Sequence, residues 1–123
     1  MVAVEEWKEA AALMEKNLQA NGINNVKVVK GKAEEFAASP DSDDLYDLVV
    51  LDPPRGGCER AVLERIMQLR IDRIIYVSCN PATLARDFKI LKEGGYVLKS
   101  ARAFDMFPQT VHVETVVLME RSS

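Results

Sequence analysis

Cys79 stands directly before Asn80-Pro81. Asparagine is a good helix cap and proline suits the first helical turn, so the thiol lies just ahead of a helix N-terminus. The positive end of a helix favours thiolate, and a partly exposed thiolate is a nucleophile, although a lone cysteine is also commonly just a small buried apolar residue. Cys58 has no comparable setting and is assigned no role. A second unusual stretch is Asp52-Pro53-Pro54-Arg55-Gly56-Gly57. Two successive prolines would hold the aspartate and the adjoining carbonyls rigidly toward a ligand, or would simply form a stiff strand-to-helix turn. Glu114 lies within Val111-His112-Val113-Glu114-Thr115-Val116-Val117-Leu118, where strand alternation puts it on one face with His112, Val116 and Leu118. Such a carboxylate either faces water or sits in a partly apolar site that raises its pKa toward a useful base. His112 is the sole histidine, with no second ligand at metal spacing, so no metal site is expected. Phe104-Asp105-Met106-Phe107-Pro108-Gln109-Thr110 is an aromatic and polar connector, suited to stacking on an unpaired base or to packing as a corner.

The elements that must carry these groups alternate between short β-rich apolar runs and stretches of helical period, the pattern of an α/β domain with a mostly parallel sheet. Residues 2–4 read as the end of a strand. Trp7, Ala10, Ala11, Met14 and Leu18 then give one apolar helix face, stopped by Asn21-Gly22. A strand follows at 26–29, a short helix at 33–37 and a polar loop at 39–44. Residues 45–51 form a nearly continuous apolar strand, as expected of one covered on both faces, and it ends at Asp52. A helix over 59–69 with a Val62, Ile66 and Leu69 stripe leads to a strand over 73–77 that ends before Cys79. Leu84, Phe88 and Leu91 mark another helix, closed by Gly94-Gly95, and strands near 96–103 and 111–119 finish the chain. Ligands of open α/β sheets bind at the carboxyl ends of the strands, and here two neighbouring strands end in Asp52 and Cys79.

With 123 residues the chain fits one domain, 1–123. No apolar run approaches the roughly 18 residues of a membrane span, and no secretory leader opens the chain. Two cysteines do not make a disulfide framework, which points to a reducing, cytoplasmic setting. The formal net charge is −3, whereas a domain gripping a phosphate backbone unaided usually shows a basic excess. If the substrate is RNA, most of the grip comes from elsewhere.

Taken together, the motifs resemble the RNA uracil C5-methyltransferases, which form 5-methyluridine in ribosomal and transfer RNA. The resemblance is carried in order and spacing by Asp52-Pro53-Pro54-Arg55-Gly56-Gly57, by Tyr76-Val77-Ser78-Cys79-Asn80-Pro81-Ala82-Thr83-Leu84-Ala85-Arg86-Asp87, and by the segments Phe104 to Thr110 and His112-Val113-Glu114. It implies the second half of a Rossmann-like class I methyltransferase sheet, mostly parallel with an antiparallel pair at the C-terminal side. It also implies S-adenosyl-L-methionine as cofactor and an RNA uridine as substrate. On this resemblance Cys79 would attack uracil C6 and Glu114 would remove the C5 proton. Asp52 would sit between methyl donor and base, while Glu5 would hold the cofactor ribose. Lys32, in Gly31-Lys32-Ala33, takes the place where the family generally shows an aspartate or asparagine facing the adenine.

The family's first strand and glycine loop would precede Val2, as would the upstream RNA-binding regions of many members, so the chain is expected to need them for activity. The gap that a missing first strand leaves could be closed, left as an edge, or filled by a second copy in a homodimer. Two other readings stand beside this one. Asp52-Pro53-Pro54 is similar to the motif of amino-methyltransferases, although Arg55 replaces their stacking aromatic residue. That reading also leaves Cys79 and Glu114 idle, and a non-catalytic α/β module serving as an interaction surface does not explain why the Cys79 and Glu114 signatures are complete.

Overall fold

The computed structural model describes residues 2–6, 8–37, 46–104 and 114–122. The chain divides into two compact units, residues 1–43 and 44–123.

The first unit runs β1 (Val2–Glu5), α1 (Lys8–Ala20), β2 (Lys27–Lys30) and α2 (Ala33–Ala37). Parallel strands cannot be joined by a hairpin, and α1 supplies the crossover that lets β1 and β2 pair in parallel. Ala11 is fully buried and Met14 and Leu18 half-buried along α1, whereas Ala10 of the expected stripe faces outward. Trp7 lies outside the described residues. The helix ends as Asn21-Gly22 requires: the Ile23 amide donates to the Leu18 carbonyl at 2.9 Å and that of Gly22 to Gln19 at 3.1 Å, with Gly22 at φ 67. Those two bonds satisfy carbonyls the helix itself leaves open, in a conformation that a side chain would strain.

The second unit contains β3 (Leu48–Leu51), α3 (Arg60–Gln68), β4 (Arg73–Ser78), α4 (Pro81–Glu93), β5 (Tyr96–Phe104) and β6 (Glu114–Arg121). Its sheet has the order β3-β4-β6-β5, parallel between β3 and β4 and antiparallel elsewhere. The last strand in sequence therefore inserts between β4 and β5. Cross-strand register puts Val49 beside Ile74, Leu51 beside Tyr76, Ile74 beside Met119 and Tyr76 beside Val117, so these six share one face. That face packs against Leu63 and Ile66 of α3 and Leu91 of α4, and it forms the core. The α3 stripe is thus centred on Leu63, fully buried, with Val62 and Leu69 only partly covered.

Residues 45–51 were expected to be covered on both faces, and the described part of that strand is not. Leu48 is 41% and Val50 61% exposed, because α3 and α4 both lie over the opposite face. Tyr96 anchors the far side of the sheet through its hydroxyl, which donates to the Ile71 carbonyl. A register shift between Leu98 and Ser100 marks a bulge in β5.

Candidate functional site

Asp52 follows the last residue of β3, Cys79 follows the last residue of β4, and Glu114 is the first residue of β6. Since β3 and β4 are parallel and β6 runs the other way beside β4, all three residues fall at one edge of the second unit's sheet. The antiparallel register ends at Ser78 opposite Thr115, and one further step sets Cys79 against Glu114. The parallel register ends at Leu51 beside Tyr76, which leaves Asp52 level with Val77. Side chains alternate between faces, so carrying each strand one residue onward puts Asp52, Cys79 and Glu114 on the same side. Asp52 is exposed, and Cys79 and Glu114 are half-buried.

Local chemistry fixes the turn around Cys79. Ser78 is buried, and its hydroxyl donates to the Asn80 carbonyl at 2.8 Å and accepts from the Asn80 amide at 3.0 Å. Asn80 caps α4 as its sequence implies, its Oδ1 accepting from the Ala82 amide at 3.0 Å with Pro81 following. Cys79 therefore sits at a helix entrance held from both sides.

The loop after Asp52 is clasped by the first two turns of α4. Asn80 Nδ2 donates to the Arg55 carbonyl at 3.1 Å, and Thr83 Oγ1 donates to the same oxygen at 3.2 Å. Arg86 Nη2 donates to the Gly56 carbonyl at 2.7 Å, and the Cys58 amide donates to Asp87 Oδ2 at 2.8 Å. Residues 80, 83 and 87 share one helix face, which explains how a single helix holds the whole loop. Gly57 makes the approach possible: it has φ +83, and a Cβ there would lie 2.5 Å from Arg86 Nη2 and 2.8 Å from Asp87 Oδ2.

Sequence reasoning gave Asp87 and Cys58 no part. Asp87 is fully buried, accepts from the Tyr76 hydroxyl at 2.5 Å, and pairs with Arg86 at 3.1 Å. Burial, with the Asp87 carboxylate alongside, pushes the Cys58 thiol from 9.0 up to about 12. Burial and the hydrogen bond to Asp87 likewise push the Tyr76 hydroxyl up. One signal for Asp87 was available, since it lies one turn from Leu84 and from Leu91 on the inward stripe of α4.

In the first unit, Glu5 ends β1 opposite Lys30 of β2, and its carbonyl accepts from the Gly31 amide at 2.9 Å. Lys32 lies just beyond β2, exposed, its carbonyl accepting from Glu35 and Phe36. Both residues thus stand at the carboxyl end of a parallel strand pair, where a carboxylate suits ribose hydroxyls. His112 and the connector from Asp105 to Thr110 lie outside the described residues. Among the described residues no group of acidic, histidine and cysteine side chains could hold a metal ion, and no helix is long and apolar enough to cross a membrane.

A family model described as tRNA (uracil-5-)-methyltransferase matches residues 1–122. The chain belongs to that family. It is 46% identical over 119 residues to an uncharacterized RNA methyltransferase of Caldanaerobacter subterraneus subsp. tengcongensis, covering 96% of this chain and 26% of that protein. The tRNA (uracil-54, C5)-methyltransferase of Pyrococcus abyssi, solved in complex with S-adenosyl-L-homocysteine, superposes with a TM-score of 0.83 at 30% identity, over 96% of this chain and 28% of that one. A precorrin-6y C5,15-methyltransferase of Geobacter metallireducens superposes with a TM-score of 0.71 over 98% of this chain and 66% of that one, and at 17% identity it speaks to the fold alone. The chain therefore spans about a quarter of the length of the curated relatives it matches. Its fold is the Rossmann-like methyltransferase fold expected from the sequence, with parallel and antiparallel strands in one sheet.

Proposed function

We propose that this chain supplies the catalytic groups of an S-adenosyl-L-methionine-dependent RNA methyltransferase that acts on uridine C5. The observation that carries the reading is the convergence of Cys79, Glu114 and Asp52 on one sheet edge, from three strands that only the fold makes neighbours. Family membership supports RNA methylation, and the chemistry of uracil accounts for the particular residues.

Carbon 5 of uracil is a weak nucleophile while the C5–C6 double bond is intact. Cys79, having given its proton to solvent, adds through sulfur to C6, and the displaced electron pair spreads over C5 and the adjoining carbonyl. The cofactor supplies the electrophilic methyl group that C5 takes up. Glu114 then accepts the C5 proton, the C5–C6 double bond re-forms, and the carbon–sulfur bond to Cys79 breaks. Asp52 orients the target base, while Glu5 and Lys32 are the residues of the first unit offered to the cofactor's ribose and adenine. With a net charge of −3, the chain contributes orientation and chemistry more than grip on the RNA backbone.

The test uses RNA tritiated at uridine C5. Methyl transfer by the full-length protein that carries this chain should release tritium to water in proportion, and Cys79→Ala in that protein should abolish both. Release at the parent rate from Cys79→Ala, or methylation that leaves the tritium in place, would overturn the reading.

A further inference from the structure

Beyond the three groups at the sheet edge, the second unit holds a cluster of polar and titratable side chains in which Tyr76 and Asp87 are buried, Cys58 is half-buried and Arg86 reaches half-exposed from the outside. Asp87 joins three pieces of chain. Its Oδ2 accepts from the Cys58 amide of the loop at 2.8 Å and from the Tyr76 hydroxyl of β4 at 2.5 Å, while Oδ1 takes Arg86 of its own helix at 3.1 Å.

The position lies on the inward stripe of α4 between Leu84 and Leu91, where an apolar side chain would pack without the cost of removing a carboxylate from water. Stability alone does not call for an acid there. What the acid does that a leucine cannot is accept two hydrogen bonds in fixed directions, one of them from loop backbone. That loop is short, stiffened by Pro53 and Pro54, and begins at Asp52, while α4 begins two residues after Cys79, with Asn80 as its cap. Tying Cys58 to α4 therefore ties the loop's far end to the helix at whose entrance Cys79 sits.

We propose that Asp87 is a positioning residue for the reaction, setting the separation of Asp52 and Cys79 by clamping the loop after β3 to β4 and α4. The inference rests on the reading of those two residues given above. Asp87 neither touches the base nor transfers a proton; it acts through the Cys58 amide and the Tyr76 hydroxyl. A displacement of about 1 Å in a reacting constellation costs on the order of 100-fold in rate, which sets the scale of the effect.

The experiment uses the full-length protein that carries this chain and compares the parent with Asp87→Asn, Tyr76→Phe and Cys79→Ala. It measures kcat and KM for RNA, the melting temperature, and the rate of covalent attachment to RNA carrying 5-fluorouridine, in which C5 bears a fluorine in place of the proton that must be lost; fluorine cannot leave as F⁺, so the adduct persists. Asp87→Asn keeps the shape but turns one acceptor into a donor, and it should lower kcat and the attachment rate on the order of 100-fold with KM for RNA within about threefold. Tyr76→Phe removes one of the two donors to Oδ2 and should lower both rates about tenfold, by the same scaling. A parent-like kcat in folded Tyr76→Phe overturns the proposal even if Asp87→Asn fails to fold. Losses that only track the unfolded fraction also overturn it, by making the role structural. Cys79→Ala separates the two claims: if it still forms the adduct, the reading of the site fails, whereas loss of adduct there with normal rates in the other two variants removes the positioning role alone.

Discussion

Gly57→Ala tests the clasp through stability, and its cost can be worked from the geometry. Gly57 has φ +83, a conformation that costs an L-residue about 1 kcal/mol. The new methyl would also lie 2.5 Å from Arg86 Nη2 and 2.8 Å from Asp87 Oδ2. Arg86 is the far end of a flexible, half-exposed side chain and can swing away. Asp87 Oδ2 is held by the Tyr76 hydroxyl and the Cys58 amide, so retreat from 2.8 Å to ordinary contact lengthens one of those bonds. Weakening a hydrogen bond to a charged group costs about 1–2 kcal/mol, which brings the total to about 2–3 kcal/mol. Gly56→Ala is the internal control, because nothing lies within 4 Å of a Cβ there and the backbone is not in the left-handed region. It should be neutral or stabilising by a few tenths of a kcal/mol through the unfolded chain. Urea unfolding followed by circular dichroism reads both variants. Gly57→Ala within about 0.5 kcal/mol of the parent, or equal losses in the two variants, would refute the clasp as described.

Stability should decline as pH rises above 9. Burial, with Asp87 alongside, pushes the Cys58 thiol up from its ordinary 9.0 to about 12 in the folded protein, so its contribution is intact below pH 9 and is lost between pH 9 and 12. Tyr76, also raised, adds to the decline above its ordinary pKa, and Cys58→Ala should make urea midpoints measured across this range fall less steeply. By the same protonation, Cys58 should resist iodoacetamide at pH 8 in the native protein and react once urea unfolds it, as followed by peptide mass spectrometry. Arg70→Gly should stabilise the second unit by about 0.5–1 kcal/mol in urea unfolding, because Arg70 has φ 54 at the end of α3, where its amide bonds Met67 and that of Ile71 bonds Ile66.

What the sequence made legible was mostly local. The cap at Asn80-Pro81, the stop at Asn21-Gly22 and the strand over 73–77 depend on residues within a turn or two of one another, so their chemistry can be read in place. Cys79 and Asp52 could be assigned to the carboxyl ends of neighbouring strands on the same grounds. Their nearness to Glu114 could not be read locally, because it depends on β6 entering the sheet between β4 and β5. Hydrophobicity likewise did not show which face of residues 48–51 is covered, since an apolar run records only that burial is favourable and α3 and α4 choose the face. The α3 stripe was misplaced around Val62 because several apolar residues share that helix and only packing selects Leu63. Asp87 escaped notice for a related reason: its partners Cys58 and Tyr76 are 29 and 11 residues away, beyond any helical or strand period.

In the proposed mechanism Cys79 forms, and Glu114 allows release of, a covalent bond to uridine. The most direct measurement is intact-mass and peptide analysis of Glu114→Gln in the full-length protein, incubated with substrate RNA and S-adenosyl-L-methionine. This variant should accumulate a protein–RNA adduct attached at Cys79 and carrying the transferred methyl group, because the C5 proton stays on. No adduct in Glu114→Gln, an attachment at any other residue, or an adduct that survives replacement of Cys79 would contradict it.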